Sequence, residues 1–186
     1  MSESPSSSDV LGQLRSGSRE SLDRLVPHVY EQLRAIAHRQ LGQRPNGGTL
    51  ETTGLVHEAY LRVVEQSRVG VHDRAHFLAL SSLAMRHVLV DRARAQRRLK
   101  RGGECRRITL DEQEIGLDDQ PDALVQLDEA LQRLGDVEPR LVRVVECRFF
   151  GGLTEEEIAA ALGVTVRTVE RDWAKARMML RRALEP

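Results

Sequence analysis

The residues whose types and spacing come nearest to a reactive centre are three consecutive carboxylates, Glu155 to Glu157, and two histidines four apart, His72 and His76. Clustered carboxylates could hold divalent cations, and histidines at i and i+4 could hold zinc if a third ligand joined them. No third ligand is evident beside the histidines. The glutamates have a simpler explanation. Thr154 and Glu157 form a T-x-x-E capping box, and acids in a first helical turn lie where the helix dipole favours them. Cys105 and Cys147 are the only cysteines; without CxxC spacing or a histidine nearby they read as free thiols. The chain contains no Walker loop, no HExxH and no GxSxG. No enzyme, catalytic residue, metal or cofactor is therefore expected. The chemistry left to consider is that of cations meeting phosphate.

The formal net charge of the 186-residue chain is zero, yet charge is segregated along it. From Arg86 to Arg107 nine Lys/Arg (86, 92, 94, 97, 98, 100, 101, 106, 107) stand against Asp91 and Glu104. From Asp111 to Glu129 there are eight acids (111, 112, 114, 118, 119, 122, 128, 129) and no base. A basic block followed by an acidic block is an organised pattern, not a uniformly neutral surface. No apolar run approaches the ~18 residues of a membrane span. The Ser-rich start, MSESPSSSDV, lacks the apolar centre of a signal peptide. The expectation is a cytoplasmic protein with a disordered tail at 1–18 and no membrane partner.

The elements that must position these charges all read as helices. Aromatics are scarce, with one Trp, two Tyr and three Phe, so the core must be mostly Leu, Val and Ala, which favours helix. Leu22, Leu25, Val26, Val29, Leu33, Ile36, Ala37 and Leu41 recur at helical spacing, with Pro27 either kinking that helix or starting a new one. Arg44 to Gly48, RPNGG, reads as a turn. A helix is expected over 54–66 with Thr53 as its N-cap. A longer one runs from Asp73, its cap, to about Arg101, with Phe77, Leu80, Ala84 and Val88 inward and Gly102-Gly103 as its stop. Residues 104–121 read as a flexible acidic linker. Helices follow at 122–134, ended by Gly135, and at 139–150, begun by Pro139 and ended by Gly151-Gly152. The expected fold class is all-α, with two small helical domains at 19–103 and 122–186.

The last two helices lie in LTEEEIAAALGVTVRTVERDWAKARMML, Leu153 to Leu180. Ile158, Ala159 and Leu162 face inward on the first, and Gly163 can take the positive φ of a tight turn. Thr165 caps the second, whose buried stripe is Val166, Val169, Trp173, Ala176 and Leu180. Arg167, Thr168, Arg171 and Lys175 then fall on the outer side. A helix-turn-helix that reads DNA needs this layout, with early residues at base edges and later cations on phosphates.

These residues resemble a known family. RVVECRFFGGLTEEEIAAALGVTVRTVERDWAKARMMLRRAL is similar to the C-terminal promoter-binding domain of bacterial sigma factors, and among them to the extracytoplasmic-function (ECF) group. GLVHEAYLRVV, Gly54 to Val64, resembles the sigma helix that docks on core polymerase. FLALSSLAMRHVLVDRARAQRRLKRGG, Phe77 to Gly103, resembles the helix that melts and reads the −10 element. LVHEAYLR and RDW-x-x-AR are similar to one ECF subgroup in particular. The likeness covers about residues 20 to 184.

The resemblance implies a sigma factor that binds core RNA polymerase and promoter DNA, with an anti-sigma factor as a further possible partner. Leu55, His57, Glu58, Leu61 and Arg62 would meet the coiled coil of the β′ clamp, although many ECF factors carry Asp and Gln where this chain has Gly54 and His57. The C-terminal domain would meet the β flap. Arg86, His87, Arg92, Arg94, Arg97 and Arg98 would lie along the −10 strand; Asp91 would do so too or pair with a neighbouring Arg. The loop from Arg68 to His76 would hold a flipped base. Thr165, Arg167, Thr168, Glu170, Arg171 and Lys175 would meet the −35 element in the major groove. Many family members have Lys or Arg at the position of Glu170, so this acid would either accept from a cytosine amino group or pair with Arg167 or Lys175. The acidic linker would mimic nucleic acid in a charged channel or serve as a spacer. A stand-alone helix-turn-helix regulator, binding duplex DNA without polymerase, is the competing class.

Overall fold

The structure, a computed structural model, describes residues 30–31, 33–37, 48–66, 74–99 and 121–184. Among them every regular element is helical: α1 (Gly48–Gln66), α2 (Arg74–Leu99), α3 (Pro121–Gly135), α4 (Pro139–Val145), α5 (Glu155–Leu162) and α6 (Val166–Leu184). The fold class is all-α. The tail at 1–18, the turn at 44–47, the cap at Asp73, His72, Cys105, the Gly102-Gly103 stop and residues 104–120 lie outside the described residues, as does most of the helix expected around Pro27. Of that helix, Leu33, Ile36 and Ala37 are buried in helical backbone.

Two boundaries differ from expectation. Helix α1 begins at Gly48, so Thr53 lies more than a turn inside it and is not its cap. Nothing in Thr49 to Thr53 forbids helix, and the burial of Leu55, Val56, Ala59 and Val63 rewards extending it. The helix expected over 139–150 ends at Val145. Pro139 does occupy its first turn, where a missing N–H costs nothing. Beyond it, Glu146–Phe150 widens into a π-helical turn, in which the Gly151 N–H reaches back to the Glu146 carbonyl at 3.0 Å. The widening brings Glu146, Cys147 and Phe150 inward together.

The ends of α5 form as their residues dictate. Thr154 Oγ1 accepts from the Glu157 N–H at 3.3 Å, and Glu157 Oε2 accepts from the Thr154 N–H at 3.1 Å, which completes the capping box. Gly163 has φ of 65°, a left-handed conformation that a side chain would strain. Thr165 then caps α6, its Oγ1 accepting from the Thr168 N–H at 3.2 Å.

One buried core runs through elements on both sides of residues 100–120. Helix α2 packs on α1 along one side and on α3, the π-helical turn and α5 along another. Helix α6 packs on α3, α4 and α5. The boundary between the two parts is close. A Cβ on Gly151 would stand 1.9 Å from the Ser82 Oγ of α2, so only glycine allows this approach.

Candidate nucleic-acid interface

The C-terminal helix divides its residues cleanly. Val169, Trp173, Ala176 and Leu180 are buried, and Val166 is half-buried beside them. Thr165, Glu170, Arg171 and Lys175 are exposed, as is Arg167, while Thr168 is half-buried. Thr165 and Thr168 share a hydroxyl–hydroxyl bond of 2.9 Å at the start of the helix. Arg167 and Glu170 have no ion-pair partner among the described residues. Arg171 has only a loose approach to its neighbour Asp172, at 3.7 Å. Lys175 differs from the others, because its Nζ donates to Glu138 Oε1 at 2.5 Å and is partly neutralised there.

The triplet Arg171-Asp172-Trp173 shows how the face is held in place. Asp172 is 2 % exposed and accepts from Arg140 Nε at 2.6 Å and from Nη2 at 3.3 Å, which pins α6 to α4. The Arg148 guanidinium lies 5.1 Å from the Trp173 ring centroid and that of Arg177 lies 6.0 Å from it, close enough for cation–π attraction. Arg148 also bonds Glu155 at 2.5 Å. The charge pattern alone does not single out Asp172 as a structural residue. Its spacing, three after Val169 and four before Ala176, does carry the signal, since those intervals return to the buried face.

The cations expected along the −10 strand separate into two sets. Arg86 is 6 % exposed and does not present its guanidinium to solvent. Its Nε and Nη2 donate to Asp128 Oδ1 at 3.0 and 2.7 Å, and its Nη1 donates to Glu146 Oε1 at 2.6 Å. This corrects the expectation of an exposed Arg86: the acids that reach it stand on α3 and the π-helical turn, distant in sequence. Arg94 Nη2 donates to Asp128 Oδ2 at 2.9 Å, and Arg97 Nε pairs with Asp122 at 3.0 Å. Arg92 and Arg98 have no ion-pair partner among the described residues. Asp91 takes its structural alternative, bonding Arg62 Nη2 at 2.6 Å.

His87 is half-buried between these groups. Burial, then the positive charges of Arg86 and Arg62, hold its imidazole below the usual histidine range. It is therefore neutral at pH 7 and adds no charge for phosphate. Because the unfolded chain takes this proton first, the stability His87 leaves intact above its ordinary pKa of 6.5 falls as pH drops through that value. Unfolding midpoints at about pH 7.5 and about pH 5.5 check this. His87→Gln should lose that part of the pH dependence while the carboxylate part persists.

On α1, His57 and Glu58 are exposed, Leu61 is 49 % exposed, and Arg62 is half-buried against Glu58 and Asp91. Leu55 does not join them. It is fully buried beneath the helix, which corrects its expected place on a docking surface. An exposed leucine beside a histidine and an acid gives this face a small apolar contact with a polar rim.

Among the described residues no three His, Cys, Asp or Glu are grouped to hold a metal ion. The Glu156 carboxyl is held below its usual range by its own backbone N–H and by Thr154, as a helix-start acid should be. No described helix is long and apolar enough to cross a membrane.

A family model described as ECF sigma factor matches residues 5–186. No curated protein matches the sequence. The match spans the elements on both sides of residues 100–120, including the α2 cations and the exposed face of α6. The chain belongs to the ECF sigma factor family, non-enzymatic DNA-binding and RNA polymerase-binding proteins of transcription initiation.

Proposed function

We propose that this chain directs core RNA polymerase to promoters by reading two elements, a −35 element with α6 and a −10 element with α2. The observation that carries the reading is the outer face of α6. Arg167, Glu170 and Arg171 lie exposed opposite a buried stripe, at the start of a helix entered through a tight glycine turn. In this reading residues 19–103 act as the region 2-like domain and 122–186 as the region 4-like helix-turn-helix domain, joined by the acidic linker. His57, Glu58, Leu61 and Arg62 would meet the β′ clamp coiled coil, and the C-terminal domain the β flap. The motifs LVHEAYLR and RDW-x-x-AR favour one ECF subgroup. A gel shift with and without core enzyme tests the reading: specific promoter binding should require core. Strong binding of the free chain to a palindrome would instead favour a stand-alone regulator.

Glu170 is the candidate for base discrimination. The alternative, pairing with Arg167 or Lys175, loses support because Lys175 is engaged by Glu138 and Arg167 is not drawn to Glu170. A carboxylate in the major groove accepts from the amino group of cytosine. Glu170→Gln should therefore shift the preferred −35 base, by an effect of about 1–3 kcal/mol at one position. Selection from a randomised −35 library reads it, and an identical consensus for both proteins would show that Glu170 reads nothing.

A further inference from the structure

Helix α6 carries an acid in the middle of its cationic run, and a cation from another helix decides what that acid does. On the outer side of α6, Lys175 is held by Glu138, whereas Arg171 stands next to Asp172. Asp172 is buried, and a buried carboxylate holds whatever cation it can reach, because an unpaired charge away from water is costly. Two guanidinium groups compete for it. Arg140, in the first turn of α4, has taken both oxygens, with Nε on Oδ2 at 2.6 Å and Nη2 on Oδ1 at 3.3 Å. Arg171 Nε stops 3.7 Å from Oδ1, beyond hydrogen-bond reach, and its side chain stays 70 % exposed.

We infer that Arg140 is a positioning residue for −35 recognition: by satisfying Asp172 it keeps Arg171 off its own neighbour and available to DNA. This rests on the reading of α6 as the −35 helix. With Arg140 in place, the charge of Asp172 is already offset, and Arg171 gains little by closing on it, since an exposed ion pair adds little. Without Arg140, Arg171 is the cation left beside a buried carboxylate. The gap to close, from 3.7 Å to the about 2.8 Å of a charge-assisted hydrogen bond, is short for a long exposed side chain. The protein's own acid would then hold the guanidinium that DNA needs. Arg140 can be truncated with little loss of packing, because its side chain is 51 % exposed.

Four variants separate this role from simple anchoring of α6: Arg140→Ala, Arg171→Ala, the two together, and Arg140→Ala with Asp172→Asn. Holoenzyme assembled with purified core is selected on a promoter library randomised at the −35 element, and its binding is followed across salt concentrations. Arg171→Ala sets the reference, either relaxing the preference at one base roughly tenfold or lowering the salt slope by about one. Arg140→Ala should reproduce that same defect although Arg171 is still present, and adding Arg171→Ala should make it no worse. Asp172→Asn should reverse the defect of Arg140→Ala, because a neutral amide does not capture Arg171. Losses that add, or a defect that Asp172→Asn leaves or deepens, would mean that Arg140 only anchors α6 and would overturn the proposal. An Arg140→Ala chain that behaves like the parent would overturn it too. If Arg171→Ala itself changes neither readout, the reading of α6 fails at this residue, and the proposal with it.

Discussion

Neutralising both carboxylates around Arg86, as Asp128→Asn with Glu146→Gln, is expected to cost the contact between α2 and the C-terminal part about 3–5 kcal/mol. The guanidinium is 6 % exposed and donates three hydrogen bonds to these two acids. Without them it is a buried charge with no counterion, which is far more costly than the intact cluster is stabilising. The loss should appear at Cys147. Its thiol is buried against α2 and pushed up to about 12, chiefly by that burial, so it is protonated and slow to alkylate. In the double variant alkylation should accelerate on the order of a hundredfold, because opening supplies both access and an ordinary thiol. An unchanged labelling rate would mean that the acids do not hold α2 in place. The variant changes none of the residues proposed to meet DNA.

The second large effect concerns α6. Replacing Arg167 and Arg171 together by alanine is expected to lower transcription from a −35-dependent promoter by roughly a hundredfold, since each bidentate base contact is worth about 1–3 kcal/mol. The two lie four residues apart on one exposed face. The salt dependence of binding separates their roles. Removing a cation that holds phosphate reduces the salt slope by about one, whereas removing one that reads a base relaxes specificity. Lys175→Ala should have a smaller effect than either, because Glu138 already holds that ammonium. If the double variant transcribes as well as the parent chain, α6 is not the reading helix.

How much of this is legible in the sequence depends on whether the cause is local. The capping box at Thr154, the glycine turn at Gly163 and the buried stripe of α6 follow from neighbours within four residues, and the helices form there as expected. The same spacing rule places Phe77, Ala84 and Val88 inward on α2. Partners far apart in sequence are not legible. Nothing near Arg86 announces Asp128 or Glu146, 42 and 60 residues on. A basic stripe looks alike whether phosphate or carboxylate will meet it. Leu55 departs from expectation for a related reason: an apolar residue on a docking helix can face the partner or the core, and only packing decides. The π-helical turn is hidden as well, because Glu146–Phe150 has ordinary helical composition.

Core RNA polymerase is proposed to take its promoter specificity from this chain. Run-off transcription with purified core on a library randomised across both promoter elements tests it most directly. Discrete starts are expected only when chain and core are both present, with enrichment of two separated elements, and with the −35 element changed by Glu170→Gln. Starts that are the same for core alone, or enrichment of a single palindrome bound by the free chain, would contradict it.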